Sequence, residues 1–124
     1  ATDFLEERPD VVIGLLNGLV DTIDMINADP AVALTATNDG IEAITANRLA
    51  DESIAGAFEN LTFTVDPIAS SLQGSADDAI AVGLLDEVDL TGIYDLTLLN
   101  EVLAERGLEQ VSDDLTTATT TEAG

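Results

Sequence analysis

At 124 residues the chain is long enough for one domain, and its 46% apolar content fits a folded protein. Aromatics are only 3%, so the core must come from Ala, Leu, Ile and Val. Twenty-five acidic residues against three arginines give a net charge of −22, which nucleic acid and anionic membrane surfaces would repel. The same charge implies a fold weakened by self-repulsion at low ionic strength and relieved by salt.

From the N-terminus, Thr2 to Glu7 reads as a short helical turn, with Thr2 as N-cap and Asp3, Glu6 and Glu7 near the positive helix end. Pro9 suits the first position of the next helix, Asp10 to Ala28. There Val12, Leu15, Leu16, Leu19, Ile23 and Ile26 recur at helical spacing, and Ile13 and Val20 widen the face. Asp10, Gly14, Asn17, Asp21 and Asp24 make one narrow polar stripe, which predicts contacts on several sides and hints at a missing neighbour. No apolar run approaches the roughly 18 residues of a membrane span. The chain starts at Ala1 without Met or a signal sequence, as a mature protein or an excised segment would.

Asp29-Pro30 is a cap followed by proline, and predicts a helix from Pro30 to about Ala46 with Leu34, Ile41 and Ile44 on one face. Asn38-Asp39-Gly40 could interrupt it. Asn47 to Ala50 is a turn; Asp51 is expected to cap a helix to Asn60, with Ile54, Ala57, Phe58 and Leu61 facing inward. Leu61 to Val65 reads as extended. Asp66-Pro67 repeats the cap signal for a helix to Val82 that buries Ile68, Leu72, Ala76, Ala79 and Ile80. Gly83 with Leu84 and Gly107 with Leu108 are helix-terminating pairs. Leu85 to Ile93 is an irregular connector. Asp95 is expected to cap the last helix, whose Leu98, Leu99, Val102 and Leu103 face inward, with Tyr94 stapled onto Leu99. From Ser112 the chain is Thr-rich, lacks periodicity and should be mobile. Apart from the recurring Asp-Pro pair, no internal repeat is read.

Catalytic machinery is thin. With no His and no Cys, Ser-His-Asp and Cys-His nucleophiles, His-based zinc sites, Glu-x-x-His di-iron sites and disulfides are excluded within the chain. The glycines are scattered, so no phosphate loop is formed. The pairs Asp77-Asp78, Asp86-Glu87 and Asp21 with Asp24 could hold a hard cation, but solvated surface is the plainer reading of acids in so acidic a chain. A carboxylate-based hydrolase has no paired acids in a cleft pattern to support it. Arg8, Arg48 and Arg106 could each grip an anion; local pairing near helix ends is the simpler account. Phe58, Phe63 and Tyr94 could wall a ligand site or simply fill the core. Asn60-Leu61-Thr62 matches the N-glycosylation triplet, which is common by chance and would need a eukaryotic secretory context.

Four stretches resemble a known family. DFLEERPDVV at Asp3 to Val12 and INADPAVAL at Ile26 to Leu34 look like the C-terminal region of ABC-transporter substrate-binding proteins of the nitrate, sulfonate and taurine type. Phe63-Thr64, Asp66-Pro67 and Ser71-Leu72 match a recurring family pattern, and DLTGIYDLTLLNEVLAERGL at Asp89 to Leu108 continues it. The nearest likeness is to aliphatic-sulfonate binding proteins, over about residues 1 to 111. The absence of Lys and the Thr-rich tail depart from the pattern.

The resemblance implies a mostly α chain of about five helices and one short extended segment, the C-terminal helical part of the first lobe of a two-lobed α/β periplasmic-binding-protein (type II) fold. Residues 1–111 would form that part and 112–124 a flexible acidic tail. It implies a non-catalytic component of an ABC importer for a small anion such as an aliphatic sulfonate. That component would work outside the cytoplasmic membrane, in the periplasm or as a lipoprotein, and would dock on a permease. No catalytic, cofactor-binding or metal-binding residue is assigned. Ligand contacts would come from upstream loops, and none is matched to a position here. The alternative is a freestanding acidic helical protein-interaction domain. If the segment stands alone, apolar surface on Asp10 to Ala28 should drive homo-oligomer formation.

Overall fold

A computed structural model describes residues 2–113, 115, 117 and 118. Among them six helices follow in the order α1 (Thr2–Glu7), α2 (Pro9–Ala28), α3 (Pro30–Thr45), α4 (Asp51–Phe58), α5 (Ala69–Ala81) and α6 (Thr97–Glu105). Two-residue strands β1 (Val88–Asp89) and β2 (Thr117–Ala118) complete the order. The chain is thus mostly helical, as expected, with the short first turn counting as a helix of its own. It divides into two compact units, Asn17–Val65 and Ala1–Leu16 with Asp66–Gly124.

α2 starts at Pro9, where the missing proline N–H costs nothing because a first-turn N–H has no intrahelical partner. Its apolar face departs from the sequence expectation. Only Val20 is buried; Val12, Leu16, Ile23 and Ile26 are half-buried, and Leu15 is 69% exposed. Averaged over an 18-residue window α2 is long and apolar enough to cross a membrane, which corrects the expectation that no apolar run approaches that length. The difference lies in Asp21 and Asp24, which interrupt the apolar sequence but are outweighed in the mean. An Asp at the centre of a membrane helix would cost about 2.5–3.5 kcal/mol.

In the unit Asn17–Val65, Asp29 caps α3: its Oδ1 accepts from the N–H of Val32 at 3.1 Å, and Pro30 takes the first helical position. Asn38-Asp39-Gly40 does not interrupt α3. The helix closes at Ala46, a left-handed residue with φ 57°, whose N–H donates to the carbonyl of Glu42. The inward face centres on Ala33 and Asn38, which are buried, with Leu34 and Ile41 half-buried beside them as expected; Ile44 departs from that face and is 88% exposed. Asp51 does not cap α4. It sits inside the first turn beside Glu52, with Ala50 at the cap position, so both acids favour the positive helix end without bonding the free N–H groups. Ile54 is buried as expected, whereas Leu61 is 56% exposed and Ala57 is exposed.

In the unit that contains Asp66–Gly124, α5 begins two residues later than Asp66-Pro67 suggests. Asp66 does not cap it. Its Oδ1 instead accepts from the N–H of Ile68 at 2.8 Å, a turn closed before the helix. That turn leaves Ile68, at the cap position, in the left-handed region at φ 53° and half out in solvent, not on the buried face. Asp95 behaves alike: it accepts from the N–H of Thr97 at 3.1 Å, while Leu96 holds the cap position and accepts from the N–H of Asn100.

Both helix ends close as the sequence predicts. The Leu84 N–H donates to the Ala79 carbonyl at 2.9 Å and the Gly83 N–H to Ile80 at 3.0 Å, with Gly83 at φ +74°. Leu108 and Gly107 repeat the pattern on Leu103 and Ala104. The apolar contact expected of Leu84 does not follow, since it is 83% exposed.

The connector is not wholly irregular. Val88 pairs with Ala118 and Asp89 with Thr117 in an antiparallel ladder. Ala76, Ile80 and Leu90 form a buried cluster with Leu72, Val88 and Leu115 packed against it. Leu99, Val102 and Leu103 of α6 are buried as expected. Past Ser112, where the sequence suggests a mobile tail, Leu115 packs on this cluster and Thr117 and Ala118 pair with β1. The remainder of that expectation, at 114, 116 and 119–124, lies outside the described residues.

Candidate functional site

The aromatic side chains singled out in the sequence separate into two groups. Phe58, from the last turn of α4, and Phe63, five residues on, bring their ring centroids to 5.4 Å at an interplanar angle of 43°. The tilt places the positive edge of one ring toward the face of the other. Asn27 at the end of α2 donates from Nδ2 to the backbone carbonyl of Phe63 at 3.4 Å. With Ile26, Pro30, Leu34 and Ala55 the two rings line an open concavity of about 330 Å³, edged by Glu59. Tyr94 belongs to the other unit and lines a separate depression with Thr97 and Asn100. The first concavity can receive an apolar group, but it lacks the convergent polar groups that orient a reacting substrate.

Next to it, Arg48 faces three carboxylates. Its Nη1 donates to Asp39 and, at 3.3 Å, to Glu42, and its Nε stands 4.0 Å from Asp51. The bond to Asp39, then that to Glu42, holds the guanidinium pKa above its ordinary value. An arginine so engaged is not poised to grip an anion. Arg8 likewise bonds Asp10 at 3.3 Å on the surface, and Arg106 is the residue that ends α6, where a cation suits the negative helix end.

The acidic pairs stay dispersed. Among the described residues no three carboxylates gather as metal ligands. Asp77 accepts from Gln73 Nε2 at 3.2 Å, and Asp78, Asp86, Glu87, Asp21 and Asp24 are exposed. A third concavity, about 350 Å³, lies at the start of α5 and is lined by Asp66, Ser70, Gln73, Ser112 and Asp113 among others. Asp89 and Asp95 have pKa values below the ordinary carboxylate range. The Thr91 and Thr97 hydroxyls respectively are the main cause, and the backbone N–H of the same residues adds to it.

Two asparagines outside the sequence-based candidates are the most highly organised polar groups of their units. Asn38 is 1% exposed; its Nδ2 donates to the Leu49 carbonyl at 3.0 Å and its Oδ1 accepts from the Leu49 N–H at 3.0 Å. Asn100 does the same to Val111, at 2.9 Å in both directions. Each side-chain amide pairs with the backbone eleven residues later, fixing the segment that follows its helix. The surrounding sequences correspond: LTATNDGI at Leu34 to Ile41 and LTLLNEVL at Leu96 to Leu103. Both asparagines sit at i+4 between apolar residues at i and i+7, Leu34 and Ile41 in one case and Leu96 and Leu103 in the other, and that spacing is the sequence signal that places them on the inward face.

These polar groups are structural, and no arrangement of nucleophile, base and oxyanion donors is found among the described residues. Comparison with protein-family models, with curated proteins and with solved structures finds no match.

Proposed function

We propose that the chain is the C-terminal helical part of the first lobe of a solute-binding component of an ABC importer. The component is non-catalytic, works outside the cytoplasmic membrane and takes a small anion such as an aliphatic sulfonate. The observation that carries this reading is the ordered series of four family-like stretches, most specifically Phe63-Thr64, Asp66-Pro67 and Ser71-Leu72. Two further features support it. The chain is helical where the reading requires helices. α2 exposes Leu15, Leu19 and Met25, which suits a helix that packs on a sheet contributed by upstream sequence.

In this reading the ligand lies between two lobes, the contacts come from loops and helix N-termini preceding Ala1, and closure of the lobes creates the surface that docks on the permease. The present chain supplies scaffold and part of that surface. The coding sequence upstream of Ala1 tests the proposal. A secretion signal followed by an α/β lobe is expected; a start codon directly before Ala1 would overturn it.

A further inference from the structure

We propose that Asn60 is the acceptor of an N-linked glycan. The triplet Asn60-Leu61-Thr62 is common by chance, and its placement is what carries the inference. Asn60 stands in the turn that leaves α4, where its N–H donates to Ala57 and that of Leu61 to Phe58, both at 3.1 Å. From there to Ile68 the chain is neither helical nor paired in a sheet. Asn60, Leu61 and Thr62 are all exposed, so the amide and the hydroxyl two residues on, the two groups a transferase must reach, are both open to solvent. Asn38 and Asn100 show the contrast: neither starts such a triplet, and each spends its amide on the backbone.

Asn60 Nδ2 donates to the Gly56 carbonyl at 2.7 Å across the exposed end of α4. Water can replace that bond when the side chain turns outward. The co-reactant is a lipid-linked oligosaccharide. A bond forms between Nδ2 and C1 of its first sugar, and the bond from C1 to the polyprenyl phosphate or pyrophosphate oxygen breaks. The lipid phosphate leaves as an anion, and one amide proton passes to a base of the transferase. No oxidation or reduction is involved. A glycan rooted at Asn60 would stand beside Glu59 and Leu61, at the edge of the Phe58–Phe63 concavity, and would screen its apolar lining from solvent.

The inference rests on the extracytoplasmic location proposed above, where a membrane-bound oligosaccharyltransferase meets its lipid-linked donor, a setting wider than the eukaryotic secretory pathway; its test does not involve transport. The folded, purified chain is incubated with a single-subunit oligosaccharyltransferase and lipid-linked oligosaccharide, and its intact mass is measured. One oligosaccharide is expected on the natural chain and on Thr62→Ser, and none on Asn60→Gln or Thr62→Ala, with far-UV circular dichroism unchanged in all four. Modification only after unfolding in urea, or no modification in either state, would overturn the proposal. A chain that accepts the glycan but whose full-length protein binds no sulfonate would leave this inference standing and remove the transport reading.

Discussion

Asn38 and Asn100 each replace a strand-like pairing with a side chain. An amide offers one donor and one acceptor with the geometry of a peptide group, so it can satisfy both backbone groups of Leu49 or Val111 at once. No buried side-chain nitrogen or oxygen among the described residues is left without a partner. Truncation would leave two part-buried backbone groups without their partner, and a stranded buried group costs roughly 1–3 kcal/mol. Asn38→Ala is therefore expected to lower the urea-unfolding free energy by about 2 kcal/mol, and Asn100→Ala, at a half-buried position, by about 1 kcal/mol. Asn38→Asp should not rescue the loss, because a carboxylate cannot donate to the Leu49 carbonyl and would face Asp51.

Asp89 and Asp95 add a pH-dependent contribution. Their folded pKa values are depressed, so the stability they supply is present above the unfolded carboxylate value and is lost as pH falls through the folded one. Carboxyl carbon shifts followed by NMR should show both titrating below the unfolded Asp value of about 3.9. Thr97→Val should return Asp95 toward that value and leave Asp89 unchanged, since the Thr97 hydroxyl is the main cause only for Asp95.

At the scale of the element, helix ends were more legible than helix beginnings. A left-handed residue after a helix has one strong chemical signature, glycine followed by an apolar residue, and Gly83 and Gly107 both carry it. An aspartate before a helix has two competing uses. Asp29 bonds three residues ahead and caps α3; Asp66 and Asp95 bond two residues ahead and close a turn first. The letters Asp-Pro do not distinguish the two. Inward faces were legible where apolar spacing met a packed neighbour, as in α5 and α6. In α3 the face of Leu34 and Ile41 was legible but its buried centre, Asn38, was not, because an apolar count cannot value an asparagine whose partners lie eleven residues away. The candidate site was legible only as a list of residue types: Phe58 with Phe63 could be named, their contact could not.

The backbone at these ends makes further predictions. Gly83→Ala and Gly107→Ala force a side chain into φ +74° and +69°, and each should cost about 1–2 kcal/mol by thermal unfolding. Ile68→Gly should have the opposite sign and stabilise by up to about 1 kcal/mol, because a β-branched residue is held at φ 53° with its side chain half in solvent.

Across the whole molecule, charge and exposed apolar surface pull in opposite directions. A net charge of −22 opposes both folding and association at low salt. Raising the salt from 0.1 M to 1 M shortens the screening length from about 10 Å to about 3 Å. The thermal midpoint should therefore rise with salt. Once repulsion is screened, Leu15, Leu19 and Met25 of α2 should draw copies of the isolated chain together, and light scattering should show a mass that grows with concentration. A monomer at every concentration in high salt would argue that α2 needs no partner.

The most direct test of the transport reading is titration calorimetry on the protein that contains this chain together with its upstream sequence. Short aliphatic sulfonates, taurine and nitrate would be titrated in turn. Saturable one-to-one binding of a sulfonate, with nitrate weaker, is the predicted result. Absence of binding heat for every anion, from a protein shown to be folded at the same salt concentration and confirmed by a matching null in a thermal-shift assay, would contradict it.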